Sequence, residues 1–515
     1  MPISAAKEST VLCLRVGVFF DGTGNNLHNS ELVAACMGPD SNLASAPLAL
    51  REHCAKYGYD GRGSVPTDSY GTAKTNIAKL YELYRDQAAE QVKDSQTTAS
   101  LKVYVEGIGT QAGEKDSSLS MMTGRYGSGV IARAQQAPAA VIEQVRRWSA
   151  SNPGASAQRI EFDIFGFSRG AAAARHFAND LGKGAGSALA QLWPRSEALL
   201  PENFDWQSTQ FLAINFIGLY DSVAAIISVL EGNLSPANAQ YSGVEMKLRP
   251  TAARKIVQLV ARDEQRKNFP LTQTDNDIVV PGAHSDVGGG YLPEALETVV
   301  LTRPISSTEP ASLENGKSQA CKKAQLCLER DQHTWQSLNL QLEVCTQVDA
   351  LQPAKRDTPA EKRVIAFVQG KRRVAGDLAL IYLRIMHRLS VDQNVPFEAL
   401  DEQRMALPPA LQVIADKLMQ HAQGQQATSP LNECEEALLR KRYIHLSSHW
   451  GTQGAAREAI DAFTSTAPMK MASAASIPMS RHSNHRREAF TAQRTLDPTQ
   501  HHAFHQRQPL GLGQL

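Results

Sequence analysis

The stretch Gly166-Phe167-Ser168-Arg169-Gly170 limits what this chain can fold into more than any other. Gly-x-Ser-x-Gly is the pattern of a nucleophile elbow, a sharp turn that presents a serine between a strand and a helix. Both flanks suit it. Arg159 to Phe165 alternates polar and apolar residues and is rich in β-formers, whereas Ala171 to Ala178 is strongly helix-favouring. The glycines leave room where strand and helix close around a serine held in a strained conformation. An ordinary Gly-Ser turn spells the same five letters, so the reading depends on what else the chain offers.

A nucleophilic serine needs a base, and the base needs an orienting carboxylate. The apolar run Phe211 to Tyr220 ends in Asp221, and the β-branched run Ile278-Val279-Val280 leads into a turn holding His284. Acid and base thus follow strands at their C-terminal ends, where open α/β sheets place their sites. They also come in the order Ser, Asp, His of α/β-hydrolases. Each has a plainer reading: Asp221 as the cap of a helix over Val223 to Leu230, His284 as a turn histidine. Asp286 competes as the acid but, two residues from the histidine, suits organising its own loop. Asp205 and Asp263 are weaker candidates, since neither follows a clear strand in the sequence. Order and placement favour Ser168, Asp221 and His284 as one triad.

The oxyanion formed on attack needs donors. One is expected from the backbone N–H of Arg169, the residue after the nucleophile. The other is expected from the loop Asp21-Gly22-Thr23-Gly24-Asn25-Asn26, at Gly22 and Thr23, which follows the strand Val16 to Phe20. That loop lacks the Gly-Lys-Ser/Thr ending of a nucleotide P-loop, so nucleotide binding is not expected.

Five motifs appear in order: Phe19-Phe20-Asp21-Gly22-Thr23-Gly24-Asn25-Asn26, Thr75-Asn76-Ile77-Ala78-Lys79-Leu80-Tyr81, the elbow, Gly218-Leu219-Tyr220-Asp221-Ser222-Val223, and Pro281-Gly282-Ala283-His284-Ser285-Asp286-Val287-Gly288-Gly289-Gly290-Tyr291. Together they resemble the DUF2235 α/β-hydrolase domain carried by the Tle1 phospholipases, the first family of type VI secretion lipase effectors. The resemblance spans residues 16 to 291. It implies Ser168 as nucleophile, Asp221 as carboxylate and His284 as base. Two departures are visible: Tyr-Asp-Ser-Val stands around the acid in place of Trp-Asp-Thr-Val, and Glu106 replaces the proline of a Pro-Gly-Val-Gly-Thr loop. The resemblance further implies a bacterial toxin that cleaves glycerophospholipids of competitors. A type VI spike or tube protein and a cognate immunity protein would be its partners.

Bulk properties narrow the class. A chain of 515 residues exceeds one typical domain. With 53 Lys and Arg against 52 Asp and Glu, it gives no electrostatic reason to bind nucleic acid. No basic-then-apolar leader opens it, which argues against Sec export, and no apolar run reaches the roughly 18 residues of a membrane span. Seven widely spaced cysteines without Cys-x-x-Cys argue against a zinc site or a disulfide framework. These features fit a protein made in a reducing cytoplasm, and delivery by a secretion machine to target-cell membranes in the periplasm reconciles that with its implied target. The chemistry requires no metal and no organic cofactor.

The expected fold is α/β: a hydrolase-like, mostly parallel sheet flanked by helices, with an additional mainly helical C-terminal region. Strands are expected at 12–20, 101–106, 159–165, 211–219 and 276–281, with helical periods at Ile77 to Tyr84 and Val141 to Trp148. Residues 1–296 form the expected catalytic domain, 297–326 a linker or insertion, 327–464 a second region that the resemblance implies seats on membrane or covers substrate, and 465–515 a polar tail. The loop Ser117 to Gly124 reads as a lid or as a plain surface excursion. Asp377 to His387 reads as a buried core helix or one that meets lipid. His445 and His449, four apart without the Glu of His-Glu-x-x-His, suggest no metal. The tail holds five of the fourteen histidines and reads as disordered or weakly docked, with attraction to anionic lipid as a lesser reading. Two functions besides the phospholipase stay open: an esterase acting on other acyl esters, and an inactive hydrolase-like binding module.

Overall fold

The computed structural model describes residues 11–37, 46–59, 65–93, 96–117, 129–153, 155–194, 197, 199–223, 243–266, 269–352, 360–425 and 430–447. Six strands form one sheet: β1 (Val11–Phe20), β2 (Thr98–Val105), β3 (Ser156–Phe167), β4 (Leu212–Tyr220), β5 (Lys255–Ala261) and β6 (Asp277–Val280). Their order across the sheet is β2-β1-β3-β4-β5-β6, and every neighbouring pair runs parallel. A sheet of this kind needs both faces covered, which explains the near-continuous apolar runs in its central strands.

One face packs on α4 (Val130–Ser151) and α5 (Arg169–Leu181), with Leu14, Val16, Val18 and Ile164 of the sheet in the same core as Val141, Val145, Trp148 and Phe177. The earlier helices are α1 (Leu27–Leu32), α2 (Leu48–Lys56) and α3 (Asn76–Leu83). The other face is covered by α3 together with C-terminal helices: α9 (Leu378–Val391), α10 (Pro409–Ala422) and α11 (Glu433–Arg442). Phe19, Phe165 and Tyr220 of the sheet share a core with Ile381, Met386, Leu411, Ile414 and Leu439. The stretch 377–387 is therefore the buried core helix of its two readings, closed against the parallel sheet rather than turned to lipid.

Three further helices complete the numbering: the short α6 (Ala188–Leu192) and α7 (His284–Gly288), and α8 (Gln319–Gln336). A second, antiparallel sheet has β10 (Glu361–Ala375) at its centre. It pairs with β9 (Gln341–Gln352) on one side and with β7 (Glu294–Val300) and β8 (Ile305–Pro310) on the other. The helical C-terminal region thus carries a sheet as well. Helix α8 packs on it through Ala320, Ala324 and Trp335.

Four expectations differ from this architecture. Residues 297–326, read as a linker or insertion, are folded into β7, β8 and the start of α8. Strand β8 is short and polar, with half its residues facing water, so it leaves no apolar pattern to read. Strand β5 was missed because Gln258 interrupts its apolar run, so Asp263 does follow a strand; its carboxylate accepts the Gly282 N–H at 2.7 Å. Cys36 and Cys54 form a disulfide despite lacking any motif spacing. The division at residue 296 does not coincide with a break in the core, because the sheet's second face is closed by helices beyond 377. The lid reading falls on residues 118–124, the cap helix of Asp221 on 224–230, and the tail on 465–515; all three lie outside the described residues.

Candidate active site

The elbow forms as its glycines require. β3 ends at Phe167, Ser168 takes φ 59°, and α5 begins at Arg169. A left-handed φ on a non-glycine residue is strained and is held here by bonds on both sides. The Ser168 N–H donates to Tyr220 O at 3.0 Å, and its carbonyl accepts the Ala172 and Val223 N–H groups at 3.3 Å each. A Cβ on Gly170 would sit 2.1 Å from Asp21 O, and one on Gly166 would sit 2.6 Å from the Ala171 Cα. Neither position tolerates a side chain, so α5 closes onto β1 only with glycine there.

Asp221 follows β4 with a positive φ of 42°. Its N–H donates to Leu259 O at 2.8 Å, and its Oδ1 accepts the Ala261 N–H at 3.0 Å, both from β5. Its other oxygen, Oδ2, meets His284 Nδ1 at 2.5 Å. Both side chains are fully buried. A carboxylate oxygen only accepts, so the imidazole carries its proton on Nδ1 and turns a lone pair out at Nε2. That Nε2 is buried and has no hydrogen-bond partner among the described residues.

The imidazole is clamped on two sides. The Phe167 ring lies 4.7 Å from it and the Phe269 ring 5.0 Å, centroid to centroid. Its backbone N–H donates to Glu264 Oε2 at 3.2 Å. Burial pushes the His284 pKa below its ordinary value, against the opposing pull of Asp221. The imidazole is therefore biased toward its neutral form. Phe167 links the two parts of the site: it packs on His284 and directly precedes Ser168.

The loop after β1 sits beside the elbow. Asp21 is buried, and its carboxylate accepts from Tyr104 Oη at 2.6 Å, Thr75 Oγ1 at 2.7 Å and the Gly22 N–H at 2.7 Å. Burial outweighs these bonds and pushes the Asp21 pKa up to about 6. The Gly24 N–H donates to Ile108 O, and the Asn25 N–H to Gly22 O. Gly22 was expected to hold the oxyanion, but its N–H is engaged by Asp21. Thr23 lies in the same loop and is buried. Arg169 is buried too, and burial lowers its pKa to about 10. Glu106, the departure from proline, pairs with Arg133 at 3.4 Å and accepts the Ala112 N–H at 3.0 Å, so the substitution is absorbed by a local ion pair.

The sequence brought out Ser168, Asp221 and His284, and the fold places them just beyond the C-terminal ends of β3, β4 and β6 on one edge of the parallel sheet, with Asp221 and His284 in contact. Asp286 organises its own turn, accepting the Ala283 N–H at 2.8 Å. Asp205 instead bonds the Gln207 N–H at 2.9 Å in a surface turn. Sequence reasoning missed Asp21, Glu264 and Phe269. Asp21 was legible as the acid at the end of β1; Glu264 and Phe269 follow the strand that was overlooked.

Residues 190–307 match the family model described as type VI secretion phospholipase effector Tle1-like, catalytic domain. The matched stretch contains Asp221 and His284, while Ser168 lies upstream of it. Among curated proteins no match is found. A solved structure of the Tle1 effector bound to the VgrG spike of the type VI secretion system superposes with a TM-score of 0.63 at 27% identity, covering 86% of each chain. An uncharacterized protein from Pseudomonas aeruginosa gives a TM-score of 0.36 at 17% identity, over 84% of this chain and 53% of that one. In its matched segment and in its fold, the chain resembles the Tle1-like phospholipase effectors of type VI secretion.

Proposed function

We propose that this chain is a serine hydrolase that cleaves acyl esters of glycerophospholipids, with Ser168 as nucleophile, His284 as base and Asp221 as its orienter. The observation that carries this reading is the buried, Asp221-bound imidazole whose Nε2 has no partner, packed beside the strained elbow. In the first step His284 Nε2 takes the Ser168 hydroxyl proton as Oγ attacks the ester carbonyl. The negative oxygen is held by the N–H of Arg169 and by one from the Gly22–Thr23 turn. The imidazolium then protonates the departing lysolipid oxygen. Water attacks the acyl-serine with His284 again as base, releasing fatty acid. A neutral imidazole suits both steps.

The similar Tle1 effector was solved on a VgrG spike. We extend to this chain a spike partner, delivery out of the producing cell to a competitor's membrane, and an immunity protein that protects the producer. The Cys36–Cys54 disulfide suits an oxidising compartment on that route. No described helix is long and apolar enough to cross a membrane, so lipid would be met from the surface.

Product analysis on purified protein tests the reading. Phosphatidylethanolamine and phosphatidylglycerol vesicles, and a soluble short-chain ester, are incubated with wild type and Ser168→Ala. The expected outcome is fatty acid and lysolipid from wild type and a rate lower by roughly 10⁴-fold or more in the variant. Which lysolipid accumulates identifies the acyl position. Turnover of the soluble ester alone would replace the phospholipase with an esterase. Undiminished turnover in Ser168→Ala would remove the nucleophile from this site.

A further inference from the structure

A second Asp–His pair lies beside the first, and the mechanism above does not use it. His445 Nδ1 donates to Asp286 Oδ1 at 2.6 Å, and the His445 backbone N–H donates to Asp286 Oδ2 at 3.0 Å. Both side chains are buried, and His445 Nε2 has no hydrogen-bond partner among the described residues. The imidazole lies on the Tyr291 ring with centroids 3.6 Å apart and planes at 17°.

His445 belongs to a short strap, residues 443–447, that follows α11 and crosses from the second sheet to the histidine turn. On the sheet side, Arg372 Nη2 donates to Ile444 O at 2.6 Å and the Leu446 N–H donates to Glu297 Oε1 at 2.7 Å. Arg372 and Glu297 face each other across β10 and β7 and are themselves paired at 2.7 Å. On the site side, Ser447 Oγ accepts the Gln265 N–H at 3.0 Å, next to the Glu264 that holds the His284 backbone. In the middle stands Asp286. Its Oδ2 accepts both the strap's His445 N–H and the Ala283 N–H, and Ala283 immediately precedes His284.

We propose that His445 is a positioning residue for His284: by holding Asp286 it holds Ala283, and through that turn it sets where His284 Nε2 stands. The proposal rests on the Ser168–Asp221–His284 reading. Its physical basis is the cost of leaving a buried carboxylate short of a donor. Without the His445 Nδ1–H, Asp286 must rotate toward another partner or take up a proton, and either change loosens the shared Ala283 bond. A shift of about 1 Å in a catalytic group costs up to roughly a hundredfold in rate. The strap acts through the turn that carries His284.

Two substitutions separate this role from simple packing. His445→Phe keeps the ring on Tyr291 and removes the donor, whereas His445→Asn keeps a donor at the Nδ1 position and removes the ring. Each is measured for thermal unfolding, for kcat and KM on a soluble short-chain ester, and for the rate at which a fluorophosphonate labels Ser168. The expected result is a folded His445→Phe with kcat and labelling down roughly ten- to a hundredfold and KM nearly unchanged, with His445→Asn restoring most of the rate. The reverse ranking, equal losses in both, or no loss in His445→Phe overturns the proposal. Should His445→Phe fail to fold, His445→Asn decides: a folded but slow enzyme overturns the proposal, and a rate near that of wild type supports it. Failure of the underlying reading looks different, because wild type would then not be labelled at Ser168 and Ser168→Ala would stay active.

Discussion

At the scale of single residues, burial sets the chemistry. His284 is fully enclosed, and the loss of hydration lowers its pKa below the usual 6.5 despite the Asp221 carboxylate at 2.5 Å. The proposed base is thus biased toward the neutral form that its role requires. The acidic limb of kcat/KM on a soluble ester, where one proton binds, should be centred below pH 6.5; a limb centred above 6.5 would contradict the burial argument. Asp221→Asn leaves the shape intact but allows the wrong tautomer, so kcat should drop by roughly 10⁴-fold with the fold retained. Asp21 carries the opposite perturbation, with a folded pKa of about 6 against an ordinary 3.8. The folded protein holds this proton where the unfolded chain releases it. The resulting stability is present at low pH and is lost as pH rises from 3.8 through about 6. Asp21→Asn has no proton to lose. The stability difference between wild type and variant should therefore shift, in the variant's favour, by on the order of 2–3 kcal/mol from pH 4 to pH 7. Chemical denaturation at both pH values measures it.

Elements differ in how plainly the sequence announces them, and the reasons are physical. β1 reads as an almost unbroken apolar run and β3 as an alternation rich in β-formers, and the Gly-x-Ser-x-Gly turn punctuates the second of them. Ser168 and Asp221 were legible because each closes a buried inner strand, whereas His284 was legible from the turn after the β-branched run of β6, an edge strand whose Val279 is half exposed. β5 is as buried as its neighbours but carries Gln258 at its middle. That side chain is paired with Arg175, Thr272 and Asp277, and no local pattern signals partners so far along the chain. The second sheet was hidden because β8 and β9 lie at its edges, where one face or one edge meets water and polarity erases the alternation. The disulfide was hidden because two cysteines eighteen residues apart match no motif. Both sulfurs are buried against Val33, Tyr59 and Tyr70, between α1 and α2. Closing a loop of that length should stabilise the fold by about 3 kcal/mol, so dithiothreitol should lower the unfolding midpoint. Under denaturing conditions five thiols rather than seven should react with a disulfide reagent, matching Cys13, Cys321, Cys327, Cys345 and Cys434.

For the molecule as a whole, the arrangement of the two sheet faces decides what can stand alone. Helices α4 and α5 cover one face and come from the same part of the chain as the triad. The other face is closed by α3 and by α9, α10 and α11, which lie beyond residue 377. A chain ending at residue 296 would keep Ser168, Asp221 and His284 but expose Phe19, Phe165, Phe216 and Tyr220 to water. Exposed apolar surface on that scale drives association, so the truncated chain should be insoluble or aggregated, as static light scattering would report. The intact protein offers a gentler test of the same argument. Leu411 on α10 is fully buried, and Leu411→Ala should cost about 2–5 kcal/mol. Were the C-terminal helices a separate module, that loss would split the melting curve and leave the catalytic sheet's transition in place. Because they share one core with it, tryptophan fluorescence and far-ultraviolet dichroism should move to lower denaturant together. Separation of the two probes, with ester hydrolysis persisting past the first transition, would show that the hydrolase folds without its C-terminal half.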